Sequence, residues 1–109
     1  MKKRKRTSKN EFPYNNRTNH PNYIFEDAGR RYSALGITHS AETTGKKNMP
    51  LSVNPQVGKY EKSYIRHGVI QLKHEAFGST NRKFKFSKDD FTNVRSKIRK
   101  YKKIRKKHK

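Results

Sequence analysis

Arg66, His67, Lys73, His74 and Glu75 fall on or just after one predicted strand, and Thr38 and His39 end its neighbour. Side chains of these types suit metal-independent RNA cleavage. That reaction needs a His or Glu base beside the 2′-hydroxyl and an Arg or Lys to steady the phosphorane. With five histidines and 29 Lys+Arg in 109 residues, such a cluster also arises by chance. The plainer role for His67 and His74 is hydrogen bonding to phosphate or base. Binding is therefore favoured over catalysis. His67, His74, Arg66, Glu75 and His39 stand as candidates, and no catalytic residue is assigned.

Metal and cofactor chemistry find less support. A zinc site needs three or four ligands at about 2 Å in fixed geometry. The chain has no cysteine and no compact His-x-x-His or His-x-x-x-His pair. No P-loop, dinucleotide-binding glycine turn, Ser-His-Asp arrangement or EF-hand occurs, and Gly78-Ser79 lacks a following Gly. No metal and no cofactor is expected.

The charge is more telling. Net charge is +21, yet it is concentrated at the ends. Residues 1–10 carry six bases (Lys2, Lys3, Arg4, Lys5, Arg6 and Lys9) and residues 92–109 carry ten, with no acid in either stretch. Between them, 13 bases meet all eight acids. Like charges at that density repel, and phosphates relieve the repulsion while releasing condensed counterions. A polyanion, by default nucleic acid, is the expected partner. The cations that would carry it are Lys2, Lys3, Arg4, Lys5, Arg6, Arg66, Lys73, Arg95, Arg99, Lys102, Lys103, Arg105 and Lys106. Hydrophobic residues make up 28% of the chain, against a usual 45–50% or so, too few for a large core around a deep small-molecule pocket. No run approaches about 18 apolar residues, so nothing is expected to span a bilayer, and the C-terminal segment has too narrow an apolar stripe for a membrane surface, so no membrane partner is expected.

These side chains need a frame. Tyr23-Ile24-Phe25 reads as a short strand, Glu26 to Arg30 as a turn, and Arg31 to His39 as the return strand. Leu35 and Ile37 fall on one face of that strand and Tyr32 and Ala34 on the other, with Gly36 marking a bulge or a close backbone approach. Residues 40–63 lack periodicity and read as an ordered, irregular loop, in which Leu51 and Val53 tuck onto the core edge. Tyr64 to His74 is the best strand. Ile70 and Leu72 share a face, and Gly68 breaks the phase with Tyr64 and Ile65. A turn over 75–82 leads to a short final strand at 83–86.

Ser87 then caps a helix with Asp90 as its capping-box partner, and Phe86 and Phe91 take the spacing of a hydrophobic staple. Phe91, Val94, Ile98, Tyr101 and Ile104 form one apolar stripe, of which Phe91, Val94 and Ile98 dock on the sheet. From Lys88 to about Lys106 the helix spans roughly 28 Å. Almost nothing apolar follows Tyr101, so the last turns are expected to fray until phosphates screen them.

The fold expected is α+β: a three- to four-stranded antiparallel sheet packed on one long C-terminal basic helix, with a disordered basic N-terminal arm. The arm covers 1–21, the body 22–91, the helix 87–106 and a basic tail 107–109. Gly36-Ile37-Thr38-His39-Ser40, Thr44-Gly45, Asn48-Met49-Pro50-Leu51, Asn54-Pro55, Tyr64-Ile65-Arg66 and the Phe86-Ser87 helix start resemble small basic proteins of bacterial phages and other mobile elements. The resemblance spans about residues 20–100, brings no activity or site residue with it, and implies a cytoplasmic setting in a bacterial or phage-infected cell. In a eukaryote, Lys3-Arg4-Lys5-Arg6 would suit nuclear import.

The expected function is phosphate-dominated nucleic-acid binding, with RNA favoured over DNA for its twelve Tyr and Phe and the lack of a helix-turn-helix pattern. A place in a ribonucleoprotein, beside a protein partner, fits that expectation. The alternatives are a ribonuclease or toxin using His67 and His74, and an interaction protein that modulates a nucleic-acid-handling enzyme.

Overall fold

Gly29, at φ +88°, reverses the chain between two segments rich in β-branched and aromatic residues. The outcome is an antiparallel hairpin of Asn22–Asp27 and Arg31–Thr38. The computed structural model describes residues 11–18, 20–56, 58–80 and 84–107, with backbone alone at 79, 80 and 105–107. In chain order the elements are β1 (Pro13–Asn15), β2 (Asn22–Asp27), β3 (Arg31–Thr38), β4 (Glu42–Thr43), β5 (Lys46–Lys47), β6 (Met49–Pro50), β7 (Tyr64–Lys73), a 3-10 turn (His74–Ala76), β8 (Phe77–Thr80) and α1 (Lys88–Lys107). A four-stranded antiparallel sheet runs β2-β3-β7-β6, flanked by the β1-β8 and β4-β5 pairs. The fold is α+β, one antiparallel sheet and one C-terminal helix.

The sheet buries residues on both faces. Tyr23, Phe25, Leu35, Ile37 and Ile65 cluster with Val94 of α1 on one side. Ile24, Tyr32, Ala34 and Phe77 cluster on the other, with Ile70 and Leu72 half-buried against them. This is the alternation read along β3 and β7 from the sequence. Tyr23 and Phe25 reach the helix-side core and Ile24 the other face by plain alternation, and the one-residue slip between Ile24 and Glu26 brings Glu26 opposite Ser33.

The larger irregularity lies between β3 and β7. Leu35 stands opposite Val69, and Ile37 opposite Ile65, so Arg66, His67 and Gly68 together face Gly36 alone. The expected bulge is thus present at Gly36, and the close approach there is to a side chain: a Cβ would come within 2.8 Å of Cδ of the exposed Arg66, which could shift aside. The expected phase break at Gly68 occurs in pairing but not in facing. The excess is two residues, an even number, so Ile65 and Val69 keep to the same side.

Other expectations are corrected. Residues 1–10 lie outside the described residues, but 11–18, 20 and 21 are no disordered arm. Phe12 is buried against Tyr23, Phe84 and Phe86, Glu11 O accepts from Ile24 N at 3.1 Å, and β1 pairs with β8. Residues 77–80, expected as part of a turn, are that β8. The final strand expected at 83–86 reduces to one bridge between Phe84 and Gln56. Within 40–63, β4 and β5 form a tight hairpin whose two turn residues, Thr44 and Gly45, both have positive φ, as a type I′ turn requires. Leu51 is buried as expected, whereas Val53 is 56% exposed.

The helix starts as read, with one difference. Ser87 Oγ accepts from Asp90 N at 3.2 Å, and the Phe86 and Phe91 rings stack at 6.4 Å. Phe91, however, is 39% exposed and serves this staple rather than the sheet. The Asp90 carboxylate does not complete a capping box. It turns outward to accept from Ser52 N, Val53 N and Ser52 Oγ at 2.8–3.1 Å, tying the irregular segment after β6 to the helix start. Burial pushes the Asp90 carboxyl up, but these hydrogen bonds and Ser87 outweigh it and hold the carboxyl below its ordinary range.

A carboxyl lowered in the folded state adds stability above its unfolded pKa and loses it as pH falls through the folded one. Asp90→Asn is therefore expected to cost about 2 kcal/mol at pH 7. In urea melts the gap to the parent chain closes as pH drops below about 4. A gap that stays constant into acid would contradict this.

Candidate functional site

The three-against-one bulge lifts His67 out of the β3 ladder, and a peptide group so displaced needs other partners. Two side chains supply them. Asn48 Oδ1 accepts from His67 N at 3.0 Å, and Lys97 Nζ donates to His67 O at 2.9 Å. Asn48 is buried and fully used. Its Nδ2 donates to Ser40 O (2.9 Å) and Thr43 Oγ1 (2.8 Å), and its backbone N donates to Ala41 O. One asparagine thus fastens the β4-β5 hairpin to the bulge. The His67 ring points to the same hairpin, with Nε2 3.5 Å from Thr44 Oγ1.

Beside the bulge a groove of about 720 Å³ opens between β6-β7 and α1. Met49, Pro50 and Val69 give it apolar ground, and Tyr101 and Ile104 rise from the helix. Lys97 and Lys100 supply its charge, and no carboxylate lines it. Loss of solvent, and secondarily Lys100, lowers the pKa of Lys97. Steps of three and four place Asn93, Ser96, Lys97, Lys100 and Ile104 along one flank of α1.

The opposite flank carries a ridge of exposed cations: Arg95 and Arg99 four apart, half-exposed Lys102 three further, and Lys88 one turn pair earlier. Arg95 lies 5.8 Å from the Phe91 ring centroid. Exposed Lys103 sits on the back of the helix. No described carboxylate pairs with any of them. Arg105 and Lys106 continue the helix in backbone, with side chains outside the described residues, as Lys2, Lys3, Arg4, Lys5 and Arg6 are entirely.

The other expected cations lie apart from this ridge. Arg66 crosses Gly36, which faces away from the helix-side core. Lys73 stands opposite Arg31 at the end of β7, where Gln71 reaches Tyr101 OH at 3.4 Å.

The catalytic candidates are not gathered. His39 is exposed, with Nδ1 3.1 Å from Lys62 O. His67 sits at the bulge, and His74 lies past the far end of β7, on the order of 20 Å along the strand. His74 stacks on Tyr32 with centroids 4.0 Å apart, its Nε2 is 3.1 Å from Asp27 Oδ1, and its side chain is only 9% exposed. That is a packed, structural histidine. Glu75 lies in the 3-10 turn, exposed, its carbonyl accepting from Asn16 Nδ2. Among the described residues no group of three or more His, Asp or Glu is placed to hold a metal ion.

Asn48, Lys97, Lys100 and Tyr101 are not among the site residues expected from the sequence, where Tyr101 reads only as part of the apolar stripe. Thr44-Gly45 was the available signal for Asn48, since a two-residue turn there sets the next strand. The flank spacing of Lys97, Lys100 and Ile104 was also readable. Compared with protein-family models, with curated proteins and with solved structures, the chain matches none.

Asn48→Ala is expected to cost about 3 kcal/mol, because it removes three side-chain hydrogen bonds and strands the His67 amide. Urea unfolding measures it. A cost under about 1 kcal/mol would mean that water replaces the amide and that the clamp matters little.

Proposed function

We propose that the protein binds nucleic acid through phosphate contacts, with RNA favoured over DNA. The observation that carries this is the ridge of Lys88, Arg95, Arg99 and Lys102 on α1, backed by Lys103 and unmatched by any described carboxylate, in a chain of net charge +21. Cations set along one rigid helix are pre-spaced for a phosphate backbone, and each contact releases counterions. The described residues hold one long helix and no helix-turn-helix pair, which supports RNA over major-groove readout of DNA. The aromatic content supports it less than its count suggests. Phe12, Tyr23, Phe25, Tyr32, Phe77 and Phe84 are buried, while Tyr60 is 95% exposed. A ribonucleoprotein in a bacterial or phage-infected cell is consistent with this reading. No helix among the described residues is long and apolar enough to cross a membrane.

RNA cleavage is the second reading, and one observation favours His67 for it. Thr44 is a β-branched residue held at φ +50°, a costly conformation, and its hydroxyl is the group that meets His67 Nε2. The ring thus lies at the hairpin tip in a site whose lining also holds Lys97 and Lys100, the pairing of base and cation that cleavage needs.

Titration of labelled single-stranded RNA against potassium chloride tests the first reading. Arg95→Gln/Arg99→Gln/Lys102→Gln is expected to reduce the slope of log affinity against log salt by about 2, at roughly 0.7 per contact. An unchanged slope would remove the ridge from the interface. For the second reading, incubation with end-labelled RNA is expected to give fragments that disappear in His67→Ala. His74→Ala lowers the melting temperature but leaves the folded fraction active. Intact RNA with the parent protein would eliminate cleavage.

A further inference from the structure

The groove beside α1 differs in kind from the ridge on the helix's other flank, which presents exposed charge alone. The groove is concave and mostly apolar, within the size range of small-ligand sites of about 300–1,000 Å³. Its two ammonium groups have no acid among the lining residues. Lys97 gives one donor to His67 O, which leaves two of its three N–H groups for a ligand. Gly68 contributes bare floor: a Cβ there would meet nothing within 4 Å. Ile104, 58% exposed at the rim, is apolar surface waiting for cover.

We infer that this groove receives one unpaired nucleotide, its base against Tyr101, Met49 and Val69 and its phosphate on Lys100 and Lys97. The inference rests on the nucleic-acid reading above and deepens it by naming the substrate as single-stranded. A ring such as Tyr101 offers a stacking surface to any base without reading its sequence. An acidic peptide would also meet the lysines, but it would enter as an added strand on β7, where its rungs would need free backbone groups. At His67 both of those groups are already taken by Asn48 and Lys97. A planar base makes no such demand.

Filling the groove without changing charge tests the idea. Ser96→Trp fills it from the helix and Gly68→Leu from the floor, with circular dichroism and melting temperature confirming that each variant folds. The probes are a labelled 12-nucleotide oligouridylate, an RNA duplex of equal charge, and polyglutamate as competitor. Either variant is expected to weaken oligouridylate binding about tenfold and to leave duplex binding within twofold. In a photo-crosslinking experiment with 4-thiouridine, the parent chain is expected to label Tyr101 or Met49.

Unchanged oligouridylate affinity in both folded variants would overturn the groove and leave the ridge proposal standing, as would crosslinks confined to other residues. Equal weakening of single strand and duplex would also overturn it, since the groove would then not distinguish an unpaired nucleotide from a paired one. Polyglutamate that binds as tightly as RNA and is lost in the same variants would replace the nucleotide with an acidic peptide. Absence of any RNA binding by the parent chain would remove both proposals together.

Discussion

A single peptide group, that of His67, sets a condition the rest of the molecule has to meet. Its strand is two residues too long for its partner between Ile65 and Val69, so its N–H and C=O cannot be answered within the ladder. Leaving both unpaired in a half-buried site costs more than most side-chain contacts return. The answer comes from two distant parts of the chain, an asparagine on the way into β6 and a lysine in the second turn pair of α1. Both contacts hold the irregular segment and the helix to one point of the sheet. The even length of the excess lets this happen without turning Ile65 or Val69 out of the core.

The helix is thereby divided by function around its circumference. One side buries Val94, with Ile98 and Tyr101 half-buried against the core. One flank carries Arg95, Arg99 and Lys102 into solvent, and the other encloses a recess with Lys97 and Lys100. In a chain so rich in bases, residue type alone does not reveal which lysine supports the fold and which is free for a partner. Lys97 shows why: unlike exposed Lys100 it is half-buried, and its ammonium finds a backbone carbonyl.

Local features were legible in the sequence, and distant pairings were not. Gly29, Gly36 and the alternation of Tyr32, Ala34, Leu35 and Ile37 each act within a few residues, and the hairpin follows them. Ser87, Phe86 and Phe91 likewise mark a helix start by contacts one turn long. Phe12 shows the opposite case. It sits beside a cationic run with prolines and asparagines, and only β8 and Phe84, far along the chain, draw it into the core. Asp90 follows the same rule. Its spacing from Ser87 suggests a local cap, yet its carboxylate answers amides 37 and 38 residues away. The spread of the histidines has a related reason: neighbours in sequence on a strand are strung along it, and His74 packs on Tyr32 and Asp27 at the end of β7 away from His67.

The acids have a further bearing on behaviour in solution. Asp90 serves backbone amides, Asp27 serves Gly29 N and the His74 ring, and Glu26 accepts from the Ser33 hydroxyl. Asp90 and Asp27 thus act as internal fasteners, and at a net charge of +21 most of the mutual repulsion of the cations falls to dissolved ions. Raising ionic strength consequently firms the body by screening that repulsion. Under the proposed function the same screening would weaken the grip on a phosphate chain, so the buffers that best preserve the unliganded molecule would be those least suited to binding.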